Sequence, residues 1–212
     1  SNRGGCSQIC RWDFDLVGDD EKIEGDKPFT FCSKDLSMAE CLPELIELGV
    51  DSFKIEGRMR SVYYIATVVN VYRKLIDKYC NDKEHYEYNS EYKRILDNCS
   101  NRDSIVQFFN GKNDHTFGYY NGRQEISNQD FLGIVLDYNM ETHEVLLEQR
   151  NYYKKGDLVE FFGPNIESFT YQIGDIVDEN GENIEIVRHP KQHVKLIVDK
   201  TLTKDCMMRI KR

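Results

Sequence analysis

The 212-residue sequence predicts an α+β protein in two parts: an α/β segment over residues 1–100, a linker over 101–115 and a small antiparallel β-barrel over 116–212. Three observations carry this expectation. Residues 33–61, SKDLSMAECLPELIELGVDSFKIEGRMRS, read as a helix, a glycine stop, a short apolar run and a charged loop, which is the repeating unit of an α/β fold. A long helix with a wide apolar stripe follows from about Ser61. Beyond residue 100 the hydrophobic period shortens to seven strand-like runs separated by turn residues, the pattern of an antiparallel barrel or sandwich.

In chain order, Cys6 and Cys10 lie in a polar, glycine-bearing opening, four residues apart. On a helix they would share a face; in a loop they could flank a metal. Trp12, Phe14 and Leu16 alternate with Arg11, Asp13 and Asp15, which predicts a half-buried strand. Residues 17–28 are turn material, expected to bring a hairpin back into Phe29–Phe31. Asp35 is placed to cap a helix starting near Leu36 or Ser37, whose apolar face is Leu42, Leu45, Ile46 and Leu48. Pro43 requires that helix to begin close by, because proline has no N–H to donate.

Phe53–Glu56 is expected to be a short inner strand. Parallel strands need neighbours on both sides, and too few precede residue 100. The sequence is therefore expected to be a fragment whose sheet is completed by an upstream segment. In the long helix, Tyr64, Val68, Val71 and Leu75 form one stripe, and Ala66, Val69, Tyr72 and Ile76 widen it. A polar link over 81–90 leads to a shorter helix, Tyr88–Cys99. The later strands are expected at Phe131–Leu136, Glu144–Gln149, Leu158–Phe162, Ser168–Val177, Asn183–Val187, Val194–Val198 and Met207–Ile210.

The formal net charge is −9, and the acids are spread evenly: 19 acidic and 14 basic residues in 1–100, 18 and 14 in 101–212. Neither half is a general polyanion-binding surface by charge alone. No apolar run reaches the length of a membrane-spanning helix and no signal peptide is visible, so no membrane partner is expected. Seven cysteines without the dense pattern of a small secreted domain point to a reducing, cytoplasmic setting. Cys80, Cys99 and Cys206 read as structural thiols.

Glu56, Arg58 and Arg60 follow the carboxyl end of the expected strand, where α/β folds place their ligands. With Lys54 they form the substrate-binding candidates. Glu56 could hold a substrate, a cation or a basic partner, or could pair with Arg58 or Arg60 to stiffen the loop. The two arginines suit a carboxylate or phosphate through forked hydrogen bonds. No H-E-x-x-H, G-x-S-x-G or phosphate-binding glycine loop is present, and His85, His115, His143, His189 and His193 are scattered. Tyr119 and Tyr120 could stack on bases or serve as packing residues.

The stretches NRGGCSQICRW (2–12), SKDLSM (33–38) and PELIELGVDSFKIEGRMRS (43–61) resemble the peptidase U32 family, and within it the branch linked to hydroxylation of the tRNA wobble uridine. The resemblance implies that residues 1–100 are the last part of a TIM-barrel-like domain and that the later barrel is similar to the second domain of translation elongation factors. It implies prephenate-dependent tRNA hydroxylation by the full-length protein, with tRNA or a protein as partner. A collagenase-like peptidase and a non-catalytic RNA- or protein-binding module are the alternatives. Family members resemble one another in holding a [4Fe–4S] cluster on four cysteines. The third ligand matches Cys6, with Cys10 less well placed. The fourth falls at Ser37, a poor ligand beside soft thiolates, leaving Cys32 or Cys41 as substitutes. The residues in this chain are therefore expected to hold no cluster stably by themselves.

Overall fold

The structure, a computed structural model, describes residues 7–18, 21–23, 30–57, 60–100, 102–112 and 130–211. It divides into two compact units, Ser1–Ser127 and Asn128–Arg212.

In the N-terminal unit a single 3-10 turn, Ile9–Arg11, carries Cys10. Of the alternating Trp12–Leu16 run, only Leu16 lies in a strand, and Phe14 makes an isolated bridge. A hairpin forms further along, between β1 (Leu16–Gly18) and β2 (Glu21–Ile23). Of the segment it was expected to lead into, Phe29 lies outside the described residues, and Thr30 and Phe31 have no regular structure. Trp12 is 58% exposed, while Phe14 stacks edge-on against Phe31 with ring centroids 5.0 Å apart. Asp35 does not cap a helix. It lies in β3 (Asp35–Leu36), where Asp35 N–H donates to Asp103 O at 2.9 Å, and just beyond the strand Ser37 N–H donates to Ile105 O at 2.9 Å. These bonds pair β3 in parallel with β4 (Ser104–Ile105).

The helix expected from Ser37 starts later. Ala39–Cys41 form a 3-10 turn, and α1 runs from Leu42 to Glu47 with Pro43 in its first turn, where the missing N–H is harmless. Gly49, at φ +80°, ends it: Gly49 N–H donates to Ile46 O at 3.0 Å and Val50 N–H to Leu45 O at 3.1 Å. That is the paired closure of a helix on a left-handed residue, which glycine adopts without a Cβ penalty.

Phe53–Glu56 is not part of any ladder among the described residues, which corrects the expected inner strand. A short apolar run becomes a strand only when another strand offers its N–H and C=O groups alongside. The described residues offer this stretch none.

α2 (Val62–Asn81) is capped by Ser61, whose hydroxyl accepts from Tyr64 N–H at 3.2 Å. Tyr63, Thr67, Val68, Val71, Leu75 and Tyr79 make its buried face. The helix packs on α3 (Ser90–Cys99), which buries Ile95, Leu96 and Cys99. Glu47 ties α1 to the far end of α2, accepting from Tyr79 Oη at 2.8 Å and from Lys83 Nζ at 2.6 Å. Apolar side chains also stand on the exposed side of α2: Val62 and Val69 are 69% and 46% exposed.

The C-terminal unit is all antiparallel. Its strands are β5 (Phe131–Tyr138), β6 (Glu144–Gln149), β7 (Tyr153–Lys154), β8 (Leu158–Phe162), β9 (Phe169–Gln172), β10 (Ile176–Asp178), β11 (Asn183–Ile184), β12 (Ile186–Val187), β13 (His193–Ile197) and β14 (Met207–Ile210). Eight of them form one sheet in the order β11-β10-β13-β6-β5-β14-β8-β9. The sheet is open, which corrects the closed barrel expected from strand spacing. Its outer strands, β11 and β9, are not paired with each other. The chain leaves β11, passes Glu185 and enters β12, which pairs with β7 as a separate two-stranded ladder.

Closure by hydrogen bonds is not needed for a dry interior. Val135, Val145, Leu147, Tyr153, Val159, Phe161, Ile176 and Val187 are all fully buried in one cluster. Among them Tyr153, from the small ladder, has its hydroxyl buried without a hydrogen-bond partner. Burial pushes that phenol well above its ordinary range. β8 and β14 carry a buried ion pair, Glu160 with Arg209, directly opposite each other in the register.

Candidate functional site

In the N-terminal unit the Phe53–Glu56 segment, β3 and the first three turns of α2 line a cleft of about 740 Å³. Its lining brings together Lys54, Glu56 and Arg60 with Asp35, Tyr64 and Tyr72. Each arrives for a local reason. Arg60 N–H donates to Gly57 O at 2.8 Å, a tight turn that brings the guanidinium back toward β3 just before Ser61 starts α2. Asp35 is placed by the β3–β4 pairing. Tyr64 and Tyr72, eight residues apart, share one helical stripe.

Arg60 forms a charge-assisted hydrogen bond from Nη2 to Asp35 Oδ2, and its Cζ lies 4.9 Å from the centroid of the Tyr64 ring. Arg102 approaches the other oxygen of Asp35, Nη1 to Oδ1 at 3.5 Å. Two guanidiniums therefore share one carboxylate. Burial raises the Tyr64 phenol, and the Arg60 cation works against that rise. Tyr72 Oη accepts from Met38 N–H at 2.9 Å and lies 3.4 Å from Ser37 Oγ, so it fastens the segment before α1 to α2.

Of the residues singled out in the sequence, Lys54 and Glu56 are exposed on the cleft and Arg60 is half-buried. Arg60 pairs with Asp35, where the loop-stiffening alternative had it pair with Glu56. Arg58, Cys6, His115, Tyr119 and Tyr120 lie outside the described residues. Sequence reasoning missed Asp35 and Arg102 as site residues. Asp35 has the look of a helix cap, and Arg102 reaches it only because β4 returns parallel to β3, a pairing of two residues per strand with no sequence signature. An arginine just before the Ser104–Ile105 run is the one available hint.

Among the described residues the thiols differ in setting. Cys10 is exposed on its 3-10 turn, Cys32 is buried, and Cys41 is half-buried at the start of α1. Burial, then the carboxylates of Glu44 and Glu40, push the Cys41 thiol above its ordinary range. Among the described residues no group of three or more His, Cys, Asp or Glu side chains is arranged to hold a metal. Ser37 Oγ sits against the Tyr72 hydroxyl instead. The described residues thus do not by themselves fit an iron–sulfur cluster.

What the cleft lining offers is a cation fixed at Arg60, an exposed one at Lys54, the carboxylates of Asp35 and Glu56, and an aromatic wall at Tyr64 and Tyr72. A planar anionic group could sit against Tyr64 with its charge toward Arg60.

Residues 1–117 match the model of peptidase family U32, and residues 127–209 match that of the peptidase family U32 C-terminal domain. The chain is 47% identical over 215 residues to tRNA hydroxylation protein P1 of Bacillus subtilis (strain 168), covering 99% of this chain and 51% of that protein. It is 35% identical over 81 residues to a collagenase of Porphyromonas gingivalis, covering 38% of this chain and 22% of that one. Among solved structures, the C-terminal domain of a U32-family protein of Geobacillus thermoleovorans is 44% identical, covering 41% of this chain and 98% of that chain, with a TM-score of 0.39. The chain spans about half the length of the Bacillus relative and less of the collagenase.

Proposed function

Because the chain belongs to peptidase family U32, we propose that the protein containing it acts in the hydroxylation of tRNA, using prephenate. One observation carries the reading: the likeness to the Bacillus tRNA hydroxylation protein runs through 99% of this chain, across both units, whereas the likeness to the collagenase covers 38%.

In this reading the N-terminal unit is part of a TIM-barrel-like domain. Three features support that: the short parallel β3–β4 ladder, the Phe53–Glu56 run without a partner strand, and the exposed apolar side chains of α2. Each is what an α/β barrel would cover with further strands and helices. The cleft then lies at the substrate pocket. Arg60, oriented by Asp35, and Lys54 hold an anionic substrate group, Glu56 lies beside them, and Arg58 joins them as a further candidate. Any cluster draws ligands from outside the described residues, with Cys6 the candidate in this sequence. The C-terminal unit, whose sequence is similar to an elongation-factor second domain, serves RNA binding. The setting is the cytoplasm.

The test is nucleoside mass spectrometry of tRNA from cells lacking the full-length protein, complemented with wild type or with Glu56→Ala or Arg60→Ala. We expect 5-hydroxyuridine derivatives to vanish in the deletion and to fall about tenfold or more in the Arg60→Ala strain, as for loss of a charged substrate contact. Unchanged tRNA in the deletion, with lost peptide cleavage, would replace this reading with the peptidase one.

A further inference from the structure

The small β7–β12 ladder of the C-terminal unit has two unlike faces. Tyr153 and Val187, directly opposite each other, are both fully buried. The other face carries Lys154 opposite Ile186, and Tyr152 and Arg188 are the residues just beyond the ladder at its Tyr153–Val187 end. Tyr152 is 52% exposed, Ile186 42%, and Lys154 and Arg188 are exposed as well. One aromatic ring, one aliphatic side chain and two cations thus lie exposed on or just beyond a two-stranded ladder.

The surface continues beyond the ladder. Arg188, His189 and Lys191 form one wall of an open groove of about 750 Å³ that also takes in Ile184 and Ile186. The turn at 189–192 is held by Gln192 N–H donating to His189 O at 3.0 Å, with Lys191 at φ +61°. Among the described residues, Lys154, Arg188 and Lys191 make no ion pair, although the chain as a whole carries −9. Lys155, next along, is already engaged with Asp175 at 2.7 Å.

The groove's other wall is acidic, lined by Asp178, Glu179 and Glu185, of which Glu185 is exposed and lies 4.0 Å from Lys155 Nζ. Asp178 accepts from Asn180 N–H and Glu182 N–H, both at 2.9 Å, and Glu179 accepts from His193 N–H at 3.2 Å. Backbone donation holds the Asp178 carboxyl below its usual range. The wall therefore offers hydrogen-bond acceptors beside a cationic rim.

We propose that this face is a single-stranded RNA-binding surface, with a base stacked on Tyr152 and Ile186 and the phosphates running along Lys154, Arg188 and Lys191. Exposed aromatics interleaved with unpaired cations are the recognition chemistry of unpaired nucleic acid: the ring takes any base, and the cations take the backbone. An acidic peptide would use the cations but leave the ring and the acceptor wall without a role. The inference rests on the tRNA reading and deepens it by assigning a contact surface remote in sequence from the cleft residues.

The test uses the full chain and fluorescence anisotropy with a labelled single-stranded RNA and with unfractionated tRNA across a salt series. Tyr152→Ala should weaken binding about tenfold while Tyr152→Phe retains it, as expected for loss of one stacked base. Lys154→Ala and Arg188→Ala should each lower the slope of log affinity against log salt by about 0.7, one phosphate contact on a single strand. Lys204→Ala, an exposed cation elsewhere on the unit, should change neither, and circular dichroism should show every variant folded. Equal binding by wild type and Tyr152→Ala, or competition by polyglutamate as effective as by RNA, would overturn the proposal. The two readings fail separately. Loss of tRNA hydroxylation in the deletion with intact RNA binding by the patch variants removes only this surface. Impaired RNA binding by those variants, with unchanged tRNA in the deletion, removes only the hydroxylation reading.

Discussion

Phe161 and Tyr153 in the C-terminal unit are fully buried, while in the N-terminal unit Leu36 and Val62 are 61% and 69% exposed. Among the described residues, the C-terminal unit encloses more apolar side chains than the N-terminal one. The difference follows from which contacts each can complete. Three pairings of the C-terminal unit, β5–β6, β8–β9 and β10–β11, are hairpins, with connections such as Asn139–His143 and Glu179–Glu182, and longer-range antiparallel pairings of β6 with β13 and of β14 with β5 and β8 then join them into one sheet. Parallel pairing has no such local route, and the β3–β4 ladder joins residues 35–36 to 104–105. Hairpins give the C-terminal unit local pieces that assemble into an eight-stranded sheet around a core, whereas the two-residue β3–β4 ladder gives the N-terminal unit no comparable surface, among the described residues, to cover its apolar side chains.

The comparison can be broken most directly at the closed core. Phe161→Ala removes a fully buried ring stacked on Phe169 at 5.5 Å, and should destabilise the C-terminal unit by about 3–5 kcal/mol in urea denaturation. A loss below about 1 kcal/mol would mean that this core is as loosely covered as the other unit's surface.

A smaller, pH-dependent effect should belong to the N-terminal unit. Hydrogen bonding from Lys83 and then from Tyr79 holds Glu47 below the usual carboxylate range. A depressed folded-state value makes this contribution present above the unfolded value and lost as pH falls through the folded one. The link between α1 and α2 should therefore weaken only on acidification below about pH 4.3, the ordinary glutamate value. Glu47→Gln should remove that component from the acid limb of the denaturation profile while leaving the neutral limb's shape unchanged.

The smallest effect sharpens the contrast. Val69→Lys, on the exposed side of α2, should shift the stability of this chain by no more than about 0.5 kcal/mol, as for an ordinary surface position. A large loss would show that this face is already covered. The same substitution in the full-length protein should be severe if the proposed barrel is right.

Sequence patterns reach the two units unequally for the same reason. β6, β8 and β14 fall where alternation and turn residues put them, and α2 is legible from its stripe and the serine before it. The expected strand at Ser168–Val177 is split into β9 and β10, with Gly174 between them, and β7 is only two residues long, too short for any periodicity to register. In the N-terminal unit Asp35 has the residue type and position of a helix cap, and only the return of β4 makes it a strand residue. For the cleft, the Lys54–Arg60 stretch is visible as a charged loop after an apolar run. The sharing of Asp35 between Arg60 and Arg102 is not, because it depends on strand pairing between segments far apart in the chain.

Glu160 and Arg209 face each other across β8 and β14 with both side chains almost fully buried, and on its other edge β14 changes register at Arg209, where the pairing to β5 skips Leu132. A misaligned β14 would strand each charge among the apolar neighbours Phe161 and Met208. The pair thereby ties the alignment of β14 to charge neutralisation: Arg209 out of line with Glu160 would leave a buried charge without its counterion, at a cost on the order of 3–5 kcal/mol.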